Sequence, residues 1–164
     1  MTPRTAPTGL LVAVLLGASA CANAVEGRPV PLGGSASPAL DRTDPCALVD
    51  REDVERAVGP LDEEPRRRDL GTARSCEYEV DSQLVVIDIR TNVGLGGVNA
   101  AGPVTESTLG GHRVKSWVTE SGSCFYAFGV TVSSRVDVAV QAKQGKAQCD
   151  LAKRLAEVVE PELP

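Results

Sequence analysis

Five cysteines spread along the chain constrain its fold more than any other feature. They are Cys21, Cys46, Cys76, Cys124 and Cys149. Outside the cytoplasm thiols tend to pair, so four of these cysteines predict two disulfides and one cysteine is left over. Zinc sites draw their ligands from closely spaced pairs, and this chain has no CxxC motif. We therefore expect no metal site.

Four paired cysteines allow three pairings. We favour Cys46 with Cys76 and Cys124 with Cys149, because each bridge then joins a terminal helix to a nearby strand. Each bridge would close a loop of about 25 to 30 residues, which contributes roughly 3.5 kcal/mol in the chain-entropy model.

Residues 1–20 have the layout of a bacterial export signal. Arg4 precedes an apolar run over residues 10–16, and residues 17–20 are all small. A transmembrane helix needs about 20 apolar residues, and this run is shorter. The small residues before Cys21 resemble the lipobox of bacterial lipoproteins, whose cysteine receives a diacylglyceryl group. We expect a lipid anchor at Cys21, a location on the extracytoplasmic face of the cell membrane, and a flexible tether over residues 21–42.

We predict a single α+β domain over residues 43–164. Asp44 and Asp50 are candidate helix caps, and the short helix that follows ends at Gly59. Apolar residues alternate on both sides of a turn at residues 81–82, which predicts a hairpin. Three more strand candidates within residues 112–142 predict an antiparallel meander, and Leu155 and Val159 lie on the apolar face of a last helix. The fold prediction is an antiparallel sheet of about five strands with an N-terminal and a C-terminal helix packed on one face and two disulfides.

We predict that two stretches between these elements are loops. Residues 62–71 include Arg66, Arg67 and Arg68 among several acids, which favours a solvated loop over an anion site. Residues 92–103 are rich in glycine, but a dinucleotide-binding loop needs glycine at a position that Asn99 occupies. We therefore predict a mobile linker there.

The formal net charge of -5 argues against nucleic acid as a partner.

The placement of Trp117 depends on the lengths of the turns in the meander. With three-residue turns at residues 120–122 and 133–135, Trp117 and Phe125 point outward together beside Arg113 and Lys115, and form a candidate binding face. The opposite, covered face then holds Val114, Val118, Cys124, Tyr126, Phe128, Val136, Val138 and Val140. With two-residue turns Trp117 enters the core instead. The sequence alone favours the core placement.

Four short motifs together resemble an actinobacterial lipoprotein family of unknown function that is marked by a DPC motif. They are DPC at residues 44–46, SCEYEV at 75–80, GSC at 122–124 and QCDLAKRLAEVV at 148–159. The resemblance covers the chain from about Thr43 to its end, and Tyr78 stands where the family commonly has Trp. It implies an envelope lipoprotein with paired cysteines, and it implies no reaction.

The sequence predicts a binding module and not an enzyme. His112 is the single histidine, and at the start of a strand we expect it to be exposed. We expect no cofactor, and a partner that is an envelope protein or a small ligand. An alternative is a cell-envelope hydrolase in which some of Glu77, Asp88, Glu106 and Asp137 converge. A purely structural or assembly role is a further alternative.

Overall fold

The computed structural model describes residues 38–143 and 146–164. The export signal, Cys21 and most of the predicted tether lie outside these residues. Three α-helices are described: α1 (Pro38–Arg42), α2 (Arg51–Val58) and α3 (Cys149–Val159). The strands are β1 (Arg66–Leu70), β2 (Ala73–Val80), β3 (Gln83–Arg90), β4 (Val104–Leu109), β5 (His112–Val118), β6 (Cys124–Gly129) and β7 (Arg135–Val140).

The strands form one antiparallel sheet in the order β1-β2-β3-β7-β6-β5-β4. The sheet has seven strands, so the prediction of about five is wrong. The predicted hairpin is β2 and β3, whose turn residues Asp81 and Ser82 have φ of 51° and 58°. Such left-handed pairs match the twist of a two-residue hairpin. The predicted meander is β5, β6 and β7, and β7 pairs with β3 to join the two groups of strands.

The two strands that the prediction missed are the sheet edges. Every residue of β1 is exposed, and in β4 only Leu109 is partly buried. A strand that buries neither face needs no alternation of apolar residues, so its sequence carries no periodic signal. The stretch with Arg66, Arg67 and Arg68, predicted as a loop, is therefore strand β1. Charged side chains of this kind are common on edge strands because they discourage pairing with other chains.

The pleat of the strands gives the sheet two faces, which we call the helix face and the open face. The helix face carries Cys76, Ile87, Val138 and Phe128, and it forms the main core together with α2 and α3. Leu155 and Val159, predicted to lie on the apolar face of the last helix, are core residues of α3 together with Ala152 and Ala156. The core residues of α2 are Val54, Ala57 and Val58. The open face has no α-helix packed on it within the described residues.

Both favoured disulfides are present, Cys46–Cys76 and Cys124–Cys149. The first joins a 3-10 helix (Pro45–Ala47) to β2, and the second joins the start of α3 to β6. Asp44 caps the 3-10 helix by accepting a hydrogen bond from the backbone N–H of Cys46 at 3.0 Å. Each disulfide therefore holds a helical segment against the helix face.

The folded domain begins before Thr43. Leu40 of α1 is buried in the core, and Arg74 of β2 donates hydrogen bonds to the carbonyl oxygens of Leu40 and Thr43. Residues 38–42, predicted as the end of the tether, thus belong to the domain. None of the helices in the described part of the chain has both the length and the apolarity to cross a membrane.

Candidate binding face

The candidate binding face lies on the open face of the sheet. Trp117 pairs with Phe125, and the backbone N–H of Thr119 donates to the carbonyl of Ser123 at 2.9 Å. This pairing leaves a three-residue turn at residues 120–122, the condition under which Trp117 points outward. The prediction of a core placement for Trp117 is therefore wrong. The eight residues expected opposite it do share one face, but Val118 is 42% exposed and is not covered. The second turn also has three residues but lies at 131–133, between Val130 and Ser134.

Trp117 and Phe125 stack on each other. Their ring centroids are 4.9 Å apart and their planes differ by 4°. Both side chains are half-buried. Aromatic pairs at such distances stabilise each other beyond the area they bury, so the pair is a preformed flat surface.

The stack belongs to a row of apolar side chains, which we call the apolar row. Val104, Trp117, Phe125, Ala139 and Val86 are successive cross-strand partners from β4 to β3. Val104 at the edge is 39% exposed. Three of these five residues, Val104, Ala139 and Val86, were not among the residues predicted for the binding face. A signal was present in β3, where Leu84 and Val86 are apolar although they face away from the helices.

Arg113 and Lys115 lie on the open face of β5 beside the apolar row, as predicted for the outward arrangement. The Lys115 Nζ is 3.4 Å from Glu106 Oε1, and the Arg113 Nη2 is 3.7 Å from Glu106 Oε2. Two cations thus share one carboxylate. The Arg113 side chain is 77% exposed, so a positive charge borders the row.

A charged cluster occupies the open face over β2, β3 and β7. Asp137 receives hydrogen bonds from Arg135 Nε at 2.9 Å and from Arg90 Nε at 2.9 Å. Asp88 lies opposite Asp137 on the neighbouring strand and accepts a hydrogen bond from the Ser75 hydroxyl. Burial raises the pKa of Asp137 and of Asp88, while the nearby arginines oppose that rise.

The four acids considered for a hydrolase all lie on the open face, but each has a partner within the fold. Glu77 accepts from Arg68 Nη1 at 3.2 Å, and Glu106 neighbours Lys115. Asp88 and Asp137 are held by the cluster described above. These contacts describe a structural network and do not favour hydrolysis.

Residues 92–103, predicted as a mobile linker, contact the open face. Arg135 Nη1 donates to the carbonyl of Gly94 at 3.1 Å, and Leu95 is buried. A methyl group on Gly129 would lie 3.2 Å from the Leu95 Cβ, so glycine at position 129 lets Leu95 approach the sheet. The charged cluster therefore also holds this segment.

A comparison with known protein families shows which family the chain belongs to. The profile of the family described as "Protein of unknown function (DUF3558)" matches residues 16–162. The chain belongs to this family. No curated protein and no solved structure matches it.

In this DUF3558 protein His112 is not the exposed residue that the sequence predicted. Its Nδ1 is 2.8 Å from Glu160 Oε1, which also accepts the backbone N–H of Gly111 at 2.8 Å. These hydrogen bonds lower the pKa of Glu160. They attach the segment after α3 to the turn between β4 and β5.

Within the described residues no cluster of three His, Cys, Asp or Glu side chains could hold a metal ion.

Proposed function

We propose that the protein is an exported, lipid-anchored envelope protein that binds a partner protein through the apolar row and is not an enzyme. The stacked pair Trp117 and Phe125 is the observation that carries this proposal. Clustered aromatic side chains on a protein surface are typical of the centre of protein interfaces. The exposed Arg113 beside the row favours a partner with an apolar patch bordered by acidic groups.

The rigid background of the row also supports a binding role. Its aromatic side chains project from paired strands and not from loops, and the charged cluster fixes the neighbouring half of the face. A surface that is ordered before binding loses little conformational entropy when a partner docks.

The cysteine pairing supports the lipid anchor. Four of the five cysteines pair with one another, so Cys21 has no cysteine left to pair with in this chain. Disulfides are also typical of exported proteins. We further propose an actinobacterial origin and a family motif at Asp44-Pro45-Cys46, where the cap and the disulfide meet.

A photoreactive phenylalanine at position 125 tests the partner surface in intact cells of the native host. We expect crosslinks to one envelope protein, and we expect Trp117→Ala to abolish them while the thermal unfolding midpoint falls only modestly. The matched control is the same photoreactive residue in place of Val132, an apolar residue in the turn after β6 that is 75% exposed. Equal crosslinking from both positions, or crosslinks that persist in Trp117→Ala, would show that the row is not the interface.

The intact mass of protein extracted in detergent tests the anchor. We expect a chain that begins at residue 21 and carries the added mass of a diacylglyceryl group. A mass equal to the bare chain from residue 21 would contradict the anchor and leave the partner surface untouched.

A further inference from the structure

A second candidate site lies on the helix face, behind the strands that carry the stacked pair. It is a cavity of about 330 Å³ between the β4 edge and the Cys124–Cys149 disulfide. Pro103, Thr105, Ser116, Val118 and Tyr126 line it. Trp117 and Phe125 also border the cavity from within their strands, but the pleat directs their side chains to the open face.

Three hydroxyl groups form a row along the wall of this cavity. Thr105 of β4 is the cross-strand partner of Ser116 in β5, and Ser116 is the partner of Tyr126 in β6. Strands lie roughly 5 Å apart, so the three side chains follow one another at about that spacing. The cavity thus presents a line of donors and acceptors beside the tyrosine ring.

These hydroxyl groups have no hydrogen-bond partner within the described residues. Other hydroxyls of the sheet and its turns do have partners: Ser75 donates to Asp88, Thr119 pairs with Ser121, and Thr131 pairs with Ser134. The hydrogen-bonding capacity of the row is therefore available to a ligand.

The lining restricts the chemistry of that ligand. No charged side chain lines the cavity, so a charged ligand would lose water without gaining a counter-charge. A plain hydrocarbon chain would cover three hydroxyls and leave them unsatisfied. The volume is near the lower limit of ligand pockets, which suits a single small ring.

We propose that this cavity binds one residue of a neutral sugar. Thr105 and Ser116 exchange hydrogen bonds with the sugar hydroxyls, and the ring of Tyr126 packs against the less polar face of the sugar with Val118 and Pro103. This site is separate from the apolar row, so the proposal of a sugar site does not depend on the proposed partner surface.

Saturation-transfer NMR with the purified protein tests the proposal. The probes are the neutral monosaccharides glucose, galactose, mannose and N-acetylglucosamine, with glucuronate as a charged comparison and hexanol as an apolar one. We expect at least one neutral sugar to bind, with its ring protons receiving saturation, and glucuronate and hexanol to bind more weakly.

Variants of the hydroxyl row locate the binding. Thr105→Val and Ser116→Ala should each weaken sugar binding about tenfold, the effect of losing one hydrogen bond. The matched control is Thr108→Val, which alters the same strand on the open face and should leave the affinity unchanged. Thermal unfolding of each variant confirms that it is folded. Failure of every neutral sugar to bind, stronger binding of hexanol, or equal effects of Thr105→Val and Thr108→Val would overturn the proposal.

Discussion

The hydroxyl group of Tyr78 is buried without a hydrogen-bond partner in the described residues, and its removal should stabilise the protein. Tyr78 is 1% exposed and packs in the core on the helix face. Tyr78→Phe deletes this oxygen and keeps the ring. An unsatisfied buried polar group costs about 1 to 3 kcal/mol, so the free energy of unfolding should rise by about 1 kcal/mol or more.

The ionisation of Tyr78 gives a second, independent prediction, which is how the free energy of unfolding changes with pH. Burial, aided by the nearby negative charge of Asp44, raises the pKa of Tyr78 from 10.0 to about 12. In the unfolded chain the phenol ionises near 10, so the folded state holds its proton longer. The resulting stability is complete below pH 10 and is lost as the pH rises towards 12. This loss is on the order of 3 kcal/mol, and Tyr78→Phe should abolish it.

The chain has two tyrosines, so a single substitution is enough to follow the titration of Tyr78 alone. In Tyr126→Phe only Tyr78 contributes tyrosinate absorbance near 295 nm, and circular dichroism at each pH shows whether the fold persists. Urea unfolding at neutral pH compares Tyr78→Phe with Tyr126→Phe, whose half-buried hydroxyl should matter by no more than about 0.5 kcal/mol. A destabilised Tyr78→Phe variant, or a folded Tyr126→Phe protein with a tyrosine midpoint near 10, would refute the reasoning.

Two further predictions concern charged groups. Asp137→Ala leaves Arg135 buried without its carboxylate and should lower the free energy of unfolding in urea by about 3 to 5 kcal/mol; a loss below 1 kcal/mol would contradict the network. The lowered pKa of Glu160 means that its contacts with His112 and Gly111 contribute stability above pH 4.5, which is lost as the pH falls through the folded-state pKa. The thermal midpoint of Glu160→Gln should therefore lie below that of the unmodified protein at pH 6, and the difference should shrink as the pH is lowered below 4.5; a difference that stays constant throughout this pH range would disprove this role.

The sequence was informative wherever a strand buries one face. Alternation identified the β2–β3 hairpin and the three strands of the meander, because their apolar side chains must reach the core. It failed for β1 and β4, whose formation depends on backbone pairing with a neighbour and not on side-chain burial. The predicted pairing of the cysteines succeeded for a related reason, because each bridge joins elements that already lie close together.

The candidate binding face was predictable only in part. Whether Trp117 faces the solvent depends on the turn between β5 and β6, and that turn is set by the pairing of Thr119 with Ser123. The charged cluster could not be foreseen, since Arg90 and Asp137 meet only because β7 returns to pair with β3. Such contacts depend on strand order, which local sequence patterns do not encode.

The two ends of the sheet are stabilised by different means, and this difference bears on binding. Over β2, β3 and β7 ion pairs occupy the part of the open face beyond Val86 and Ala139, so a partner that bound there would have to compete with Arg90 and Arg135 for their acids. Over β4, β5 and β6 both faces offer groups for binding: the stack of Trp117 and Phe125 on one side, and on the other three hydroxyls that have no hydrogen-bond partner among the described residues. The Cys124–Cys149 disulfide fixes β6 between them. Binding is therefore expected at the β4 end, on a scaffold that the β2 end keeps rigid.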